Sequence, residues 1–353
     1  MKNSDNLHID HFDYQIDTKH IAQQPVEPRD AAKMLVYDRV TQELAHRHIY
    51  NLVDYMHCGD VLVLNNTRVV HARLLGNKVS GGKIEVLLLK QVDNRIWSAL
   101  CKGSGLNSGT AIDFNEIGIE CKVISKNKHG VYLLGFSCDM VPILKEFGNV
   151  PLPPYINQQI DDTKRYQTVY ATEDGSVAAP TAGLHFTEKL LGSIAQLGVT
   201  VVSVTLHVGL DTFMPVRVDQ IDKHVMHSEW CSIDDKVVGI INRAREAEGR
   251  IIVVGTTTVR VLETAAGTVP SRTVKSFDGY TNLFIRPGYT FNVVDVLLTN
   301  FHLPRSTLLM MVGAFIGNKS TDNEDTQTLL NIYEYAMQQG YMFYSFGDAM
   351  LIL

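Results

Sequence analysis

The sequence predicts an α/β protein in which a small antiparallel β-barrel domain is inserted into a discontinuous main domain, itself barrel-like or layered. Helix and strand patterns alternate through the second half of the 353-residue chain, which is typical of an α/β fold. Short β-rich runs separated by Gly, Asn and Ser fill residues 71–147, which is typical of a small barrel or sandwich. We therefore assign residues 1–70 and 150–353 to the α/β catalytic domain and residues 71–149 to the inserted β-barrel.

The strands predicted in the first half of the chain lie between residues 61 and 136. A buried strand is predicted over 61–64, directly before a run of polar residues. Within the inserted domain, strands are predicted over 83–91, 95–102, 118–125 and 130–136. One short helix near 140–147 follows them.

The second half begins with a helix whose apolar residues recur at helical spacing between 190 and 197. Thr187 is placed to cap this helix and Gly198 to end it, before a β-branched strand over 199–207. A second helix over 234–248 precedes a strand over 251–254. Further strands are predicted at 283–285, 293–298 and 342–346, and further helices near 307–315 and 326–339.

Composition narrows the class of protein. Hydrophobic residues make up 45% and charged residues 20% of the chain, as in ordinary globular proteins. The N-terminus lacks an apolar signal region, and the longest apolar run, 307–317, is too short to cross a bilayer. Five scattered cysteines without C-x-x-C spacing argue against a disulfide framework and a thiolate zinc site. We expect a soluble, cytoplasmic protein.

Charge is unevenly distributed along the chain. The net charge of −6 argues against a non-specific nucleic-acid binder. Residues 65–90 nevertheless carry five basic side chains and one acidic side chain, a net of +4. This basic stretch is compatible with phosphate contact, although a solvated barrel face is the commoner explanation for such a stretch.

Polar residues follow two predicted strands in the pattern of a binding site. Asn65, Asn66, Thr67 and Arg68 come after the strand over 61–64, and such amides and a guanidinium can hold a purine edge or a carboxylate. An Asn-rich turn is the alternative. His207 ends the strand over 199–207, where it can serve as an acid or base or as a hydrogen-bonded structural residue.

Two further segments have the same placement. Thr256, Thr257 and Arg260 lie at a strand–turn–helix step that suits an anion, although helix capping explains the threonines equally well. The step lacks the glycine and lysine pattern of a P-loop. Phe301 and His302 follow the strand over 293–298, and together they can enclose a nucleobase.

Two dense polar runs, 180–186 and 224–229, complete the candidates. The H-x-x-H pair in the second run does not match H-E-x-x-H, and no cluster of cysteines or acids completes it, so we expect no metal. No G-x-G-x-x-G loop follows a first strand, so a dinucleotide is not indicated. Spacing alone thus predicts an α/β enzyme whose substrate stays open.

These segments, in this order, resemble the S-adenosylmethionine:tRNA ribosyltransferase-isomerase family of queuosine biosynthesis. The matching runs cover essentially the whole chain: FDY (12–14), PRD (28–30), GDVLVLNNTRV (59–69), SGGKIEVLLL (80–89), PLPPYI (151–156), YQTVYA (166–171), AAPTAGLHF (178–186), LHVG (206–209), HVMHSE (224–229), GTTTVR (255–260), LFIRPG (283–288), TNFHLPRSTLLMMV (299–312) and FGDAML (346–351).

The resemblance implies a specific reaction. Members of the family transfer and isomerise the ribosyl group of S-adenosylmethionine onto 7-aminomethyl-7-deazaguanine at the tRNA wobble position. The products are epoxyqueuosine-tRNA, adenine and methionine. The implied partners are tRNAs with a GUN anticodon (Asp, Asn, His and Tyr) and S-adenosylmethionine as co-substrate. We expect that the protein needs no other cofactor and no metal, that it does not associate with a membrane, and that it is a monomer.

The family reaction needs a base, an acid and groups that bind a sulfonium and a carboxylate. His185, His207, His227 and His302 are the acid–base candidates, with His207 and His302 first because they end strands. Other matched positions are expected to bind substrate. For the sulfonium these are Phe186, Phe301 and Glu229; for the methionine carboxylate, Thr256, Thr257 and Arg260; and, without an assigned group, Asn65, Asn66, Thr67, Arg68, Thr181 and Asn300.

The chain departs from the family pattern at three places: Asp211 replaces a Gly after LHVG, His71 replaces a Pro, and Ala32-Lys33 replace Ser-Arg. We expect Asp211→Gly to change turnover only a few fold. Two alternatives stay open. A methyltransferase would release S-adenosylhomocysteine, and a catalytically inactive tRNA-binding protein of the same fold would never consume S-adenosylmethionine. The sequence does not identify the catalytic base or the tRNA-docking face, for which the basic stretch is our hypothesis.

Overall fold

The computed structural model describes residues 7–114, 117–127, 130–149, 151–158, 160, 162–209, 216, 218–226, 228–267, 273–317 and 323–353. The chain divides into two compact units. The α/β unit comprises Met1–Arg68, Pro153–Glu173 and Ala179–Leu353. The barrel unit comprises Val69–Leu152 and Asp174–Ala178. The predicted fold class, α/β with an antiparallel β-barrel, is confirmed.

The described helices and strands follow one another in this order: β1 Lys33–Tyr37, β2 Leu44–His48, β3 Val61–Asn65, β4 Thr67–Val69, β5 Arg73–Lys78, β6 Lys83–Asp93, β7 Ile96–Lys102, β8 Ala111–Phe114, β9 Ile119–Lys126, β10 Tyr132–Phe136, α1 Met140–Phe147, β11 Glu173–Ser176, α2 Glu188–Gln196, β12 Thr200–Leu206, β13 Glu229–Ile233, α3 Asp235–Glu246, β14 Ile251–Val254, α4 Thr256–Ala266, β15 Phe277–Thr281, β16 Val296–Asn300, α5 Thr307–Ile316, α6 Asn323–Gln338 and β17 Ala349–Ile352.

A nine-stranded mixed sheet forms the centre of the α/β unit, in the order β15-β13-β12-β3-β14-β16-β17-β1-β2. Its middle strands β12, β3, β14 and β16 are parallel neighbours. Every residue of β3, β14 and β16 is buried, as expected for strands covered on both faces. Because parallel strands end at the same edge, the residues that follow these four strands converge.

Helix termini follow the predicted capping chemistry. The hydroxyl of Thr187 accepts a hydrogen bond from the backbone N–H of Leu190 at 3.1 Å and so starts α2. Gly198, at φ +84°, follows the end of that helix in the conformation that glycine tolerates best. Asp234 caps α3 in the same way as Thr187 caps α2. None of the helices in the described ranges is long and apolar enough to span a membrane.

Three predicted strands were wrong or displaced. Residues 283–285 and 342–346 are not strands, and the chain forms β15 and β17 nearby instead. The strand predicted to begin at 293 begins at Val296, because the Glu263 carboxylate binds the backbone N–H groups of Val293 and Val294. Short apolar runs do not distinguish a strand from buried irregular backbone, and side-chain hydrogen bonds decide the outcome here.

The barrel unit is a closed six-stranded barrel in the order β10-β7-β6-β5-β8-β9. All of its recorded strand pairs are antiparallel. Its interior is apolar and includes Val86, Ile112 and Leu134, which are fully buried. The sequence also did not predict β1, β2, β4, β5, β8, β11 or β13, none of which is longer than six residues.

Candidate active site

An open cleft of about 530 Å³ lies at the carboxyl ends of the parallel strands. It is lined by these residues: Tyr155, Ala179, Pro180, Thr181, Ala182, Val208, Gly255, Thr256, Thr257, Thr299, Asn300, Phe301, His302, Leu303, Leu308, Tyr344 and Ser345. Hydroxyls, one amide and aromatic rings supply its polarity. Among these lining residues no side chain is an acid, lysine or arginine, so the cleft suits an uncharged polar ligand or one whose charge is diffuse.

Thr256 and Thr257 enter the cleft at the start of α4. Gly255 precedes them at φ +84°, and its backbone N–H donates to Leu298 O at 2.8 Å, which ties the turn to β16. Side chains other than glycine rarely adopt that backbone conformation. The turn therefore presents two hydroxyls beside the positive end of a helix dipole, as the sequence predicted for this step.

Asn65 fastens three elements together beneath the cleft. Its Nδ2 donates to Leu206 O and to Thr257 Oγ1, both at 3.1 Å. Its Oδ1 accepts from the backbone N–H groups of Leu206 and Thr67. A fully buried amide with four partners has none of its polar atoms available to a purine, so Asn65 positions the site.

His207 lies just past the end of β12. Its Nδ1 is 2.8 Å from the hydroxyl of Thr67, and its ring stacks on Trp230 with centroids 4.9 Å apart. Thr67 is in turn linked through Asn65 to Thr257, so His207 belongs to the same hydrogen-bonded framework as the cleft. The imidazole is only partly buried, unlike those of His185 and His302.

Asn300 connects the cleft to His185. Its Oδ1 accepts from the Thr181 hydroxyl at 2.9 Å, and its Nδ2 lies 3.2 Å from His185 Nε2. Burial lowers the pKa of His185 to about 4. The imidazole is therefore neutral at pH 7, and its unprotonated Nε2 accepts the amide hydrogen.

His302 lines the cleft but is held by several groups. Its Nε2 is 2.8 Å from Thr299 Oγ1, its backbone N–H donates to the Tyr333 hydroxyl, and its carbonyl accepts from Tyr14. Burial lowers the pKa of His302 to about 3. An imidazole this hard to protonate is a poor proton acceptor at neutral pH, since the ideal catalytic pKa lies near the working pH.

Two tyrosines of the cleft were not among the predicted site residues. The rings of Tyr155 and Tyr344 lie 4.8 Å apart, and the Tyr155 hydroxyl is 2.7 Å from Ser345 Oγ. Tyr344 adopts φ +70°, which is uncommon for a bulky residue and can mark a functional position. Tyr155 lies in the PLPPYI run, so a signal for it was present in the sequence.

Arg260 and Glu229 form a buried ion pair away from the lining of the cleft. Glu229 also accepts from the backbone N–H of Gly209 at 2.8 Å, and Arg260 donates to Leu283 O at 3.3 Å. Glu229, which was predicted to bind the sulfonium, is thus paired with Arg260, which was predicted to bind the methionine carboxylate. Each therefore neutralises the other's charge.

The remaining predicted residues are dispersed. Phe301 lines the cleft, whereas Phe186 is fully buried in the core beneath the sheet and meets Tyr170 edge to face. Asn66 binds the hydroxyls of Thr172 and Thr205, and the exposed Arg68 donates to Ala171 O. His227 and Asp211 lie outside the described residues.

Most of the basic stretch lies in the barrel unit, where its side chains are partly engaged with neighbours. Arg73 pairs with Glu85 at 2.8 Å, and Lys78 Nζ donates to Ser104 O at 3.0 Å. Lys83 is exposed. No cluster of three or more His, Cys, Asp and Glu side chains with metal-binding geometry occurs within the described ranges.

Comparison with known proteins gives concordant matches. The model of a family described as "Queuosine biosynthesis protein" matches residues 9–352. An S-adenosylmethionine:tRNA ribosyltransferase-isomerase from Moorella thermoacetica is 46% identical over 352 residues, covering 98% of this chain and 100% of the relative. The crystal structure of an S-adenosylmethionine tRNA ribosyltransferase from Thermotoga maritima is similar with a TM-score of 0.56 at 34% identity, covering 97% of this chain and 100% of that one.

Proposed function

Since the chain belongs to the family of queuosine biosynthesis proteins, we propose that it is an S-adenosylmethionine:tRNA ribosyltransferase-isomerase. It transfers and isomerises the ribosyl group of S-adenosylmethionine onto 7-aminomethyl-7-deazaguanine at the wobble position of tRNAs with a GUN anticodon. It releases adenine and methionine and leaves epoxyqueuosine in the tRNA. We propose that it acts as a monomer in the cytoplasm, without a metal or a further cofactor.

The composition of the cleft is the observation that carries this proposal. A sulfonium is a cation with diffuse charge, and aromatic faces attract such cations. Tyr155 and Tyr344 supply aromatic rings to the cleft, and none of the described residues that line it is a carboxylate. Thr181, Thr256 and Thr257 supply hydroxyls for the ribose and adenine polar atoms. The cleft thus offers complementary groups to the adenosine and sulfonium parts of S-adenosylmethionine.

The histidines divide into two kinds of role. His185 and His302 are buried, neutral and fixed by Asn300 and Thr299, so we assign them to positioning the walls of the cleft. His207 is partly buried and oriented by Thr67, so it is the acid–base candidate within the described residues. A histidine in that role moves a proton to or from the reacting carbon or the departing adenine.

Incubation with S-adenosylmethionine and wobble-modified tRNA tests the proposal directly. Adenine and methionine, followed by chromatography, are expected in equal amounts and only when the modified tRNA is present. S-adenosylhomocysteine as the product would indicate a methyltransferase instead. Binding of tRNA without any loss of S-adenosylmethionine would indicate an inactive tRNA-binding protein.

A further inference from the structure

A second, smaller cavity of about 230 Å³ adjoins the cleft, because Ser345 lines both. Its other lining residues are Pro25, Val26, Arg29, Arg165, Leu184, His185 and Phe346. Arg29 comes from the PRD run, which contributes no residue to the cleft lining. Two guanidinium groups therefore line this cavity next to a cleft whose own lining has no charged acid, lysine or arginine.

Neither guanidinium is paired with a buried acid among the described residues. Arg29 donates to the carbonyl oxygens of Leu184 at 2.9 Å and Lys164 at 3.2 Å, which carry no net charge. Asp162 is the acid that acts on Arg29 electrostatically, and its carboxylate already accepts from the backbone N–H of Lys164. Burial lowers the pKa of the Arg29 guanidinium, as expected for a cation removed from water without a tight ion pair.

Arg165 has an unused donor. It pairs with Glu27, whose side chain is 74% exposed, and donates to Val26 O at 2.6 Å. Its Nε is buried and has no hydrogen-bond partner among the described residues. A buried donor without a hydrogen bond costs free energy of folding, and more so on a cation. We therefore expect Arg165 Nε to have a hydrogen-bond partner when the ligand is bound.

The lining of the cleft has no lysine or arginine that could bind the α-carboxylate of S-adenosylmethionine. A carboxylate prefers a guanidinium, because paired N–H donors match its two oxygens. Arg260 is unsuitable, since Glu229 already neutralises it inside the core. The second cavity has less than half the volume of the cleft, so it suits a small anionic group better than a nucleoside.

We infer that Arg29 and Arg165 bind the α-carboxylate of S-adenosylmethionine in the second cavity, an inference that rests on the function proposed above. His185 forms the boundary between the two spaces, since it lines the second cavity and binds Asn300 of the cleft. The two arginines then set specificity for an amino-acid-bearing sulfonium over one without a carboxylate.

A comparison of two ligands isolates this contact. Calorimetry gives the Kd of S-adenosylmethionine and of its decarboxylated analogue, which lacks only the α-carboxylate, for the wild-type protein and for Arg165→Gln and Arg29→Gln. We expect each substitution to raise the Kd of S-adenosylmethionine at least tenfold and that of the analogue less than twofold. Arg165→Lys, which keeps the charge, is expected to give an intermediate loss.

Arg47→Gln is the matched control, because Arg47 is exposed and does not line either cavity. It is expected to change neither Kd. Equal losses for both ligands would overturn the inference and show that the arginines only stabilise the fold. An unchanged Kd for S-adenosylmethionine together with a raised KM for tRNA would also overturn it. That result would indicate that the two arginines bind a phosphate of the tRNA.

The same experiment separates the inference from the proposed function. A wild-type protein that binds S-adenosylmethionine but never releases adenine would contradict the proposed reaction, while the ligand comparison would still decide the carboxylate contact. A wild-type protein that releases adenine but shows no difference between the two ligands on substitution would contradict the inference alone. A wild-type protein that binds neither ligand would overturn both.

Discussion

The α/β unit and the barrel unit differ in what they bury. Buried polar and charged side chains lie almost entirely in the α/β unit, whereas the described part of the barrel unit buries only Ser176 among them. Many of those in the α/β unit, such as Asn65, Thr257 and Asn300, lie in or beneath the cleft. Because burying a polar group costs free energy unless it is hydrogen-bonded, this pattern marks the unit that holds the site.

The two units also differ in charge. The barrel unit has ten Lys and Arg against eight Asp and Glu, a net of +2. The α/β unit has 22 against 30, a net of −8. A polyanion such as tRNA is therefore attracted more by the barrel unit, and the chemistry is expected in the α/β unit.

The contrast between the two units predicts that adenine release depends on residues of the α/β unit, and His207 is the strongest test of this. We expect His207→Ala to lower kcat for adenine release on the order of a thousandfold, because general acid–base catalysis contributes about 10² to 10⁴ in rate. The KM for S-adenosylmethionine should change less than threefold, because an interaction made only in the transition state contributes to kcat rather than to substrate binding.

His71→Ala is the matched control, because it removes an exposed imidazole from the barrel unit. It should leave kcat within twofold of wild type. A His207→Ala variant with near wild-type kcat would move the acid–base role elsewhere.

Acid should destabilise the α/β unit more than the barrel unit. Burial lowers the pKa of His302 to about 3 and that of His185 to about 4, whereas the unfolded value is near 6.5. Between these values the unfolded chain binds protons that the folded chain does not, so stability falls as pH drops below about 6.5. The expected loss between pH 7 and 5 is on the order of 2 kcal/mol per histidine.

The two tryptophans report the two units separately, since Trp97 lies in β7 of the barrel and Trp230 in β13. In a Trp97→Phe variant, urea unfolding followed by Trp230 fluorescence should give a free energy of unfolding that falls between pH 7 and 5. Adding His302→Asn should remove about half of that fall in the free energy of unfolding. A Trp97 signal in Trp230→Phe that is equally acid-sensitive would contradict the contrast between the units.

The charge difference predicts the smallest of these effects. Reversing Lys78 and Lys83 to Glu should raise the KM for tRNA about tenfold, because phosphate contacts by basic side chains carry much of nucleic-acid affinity. Calorimetric binding of free S-adenosylmethionine should not change. An unchanged KM would show that the basic stretch is a solvated barrel face, the alternative that the sequence left open.

Several elements were predictable because their signals are local. The apolar run of β14 and the capped α2 depend on spacing and on one capping hydroxyl, Thr187. The strand-end positions of His207 and Asn300 follow in the same way. The strand predicted at 342–346 failed because the backbone N–H of Met342 is bound by the Asp348 carboxylate, and no periodicity encodes such a contact.

The sequence by itself determined the fold class, the family resemblance and the strand-end segments that supply most of the cleft, because periodicity and motifs are properties of neighbouring residues. Only the tertiary structure decided which polar residues are available. In the folded chain Arg260 is paired with Glu229, both polar atoms of the Asn65 side chain are hydrogen-bonded, and Tyr155 lies beside Tyr344. Burial and hydrogen bonding depend on residues that are distant in sequence, and these two quantities set the charge state and the availability of each side chain.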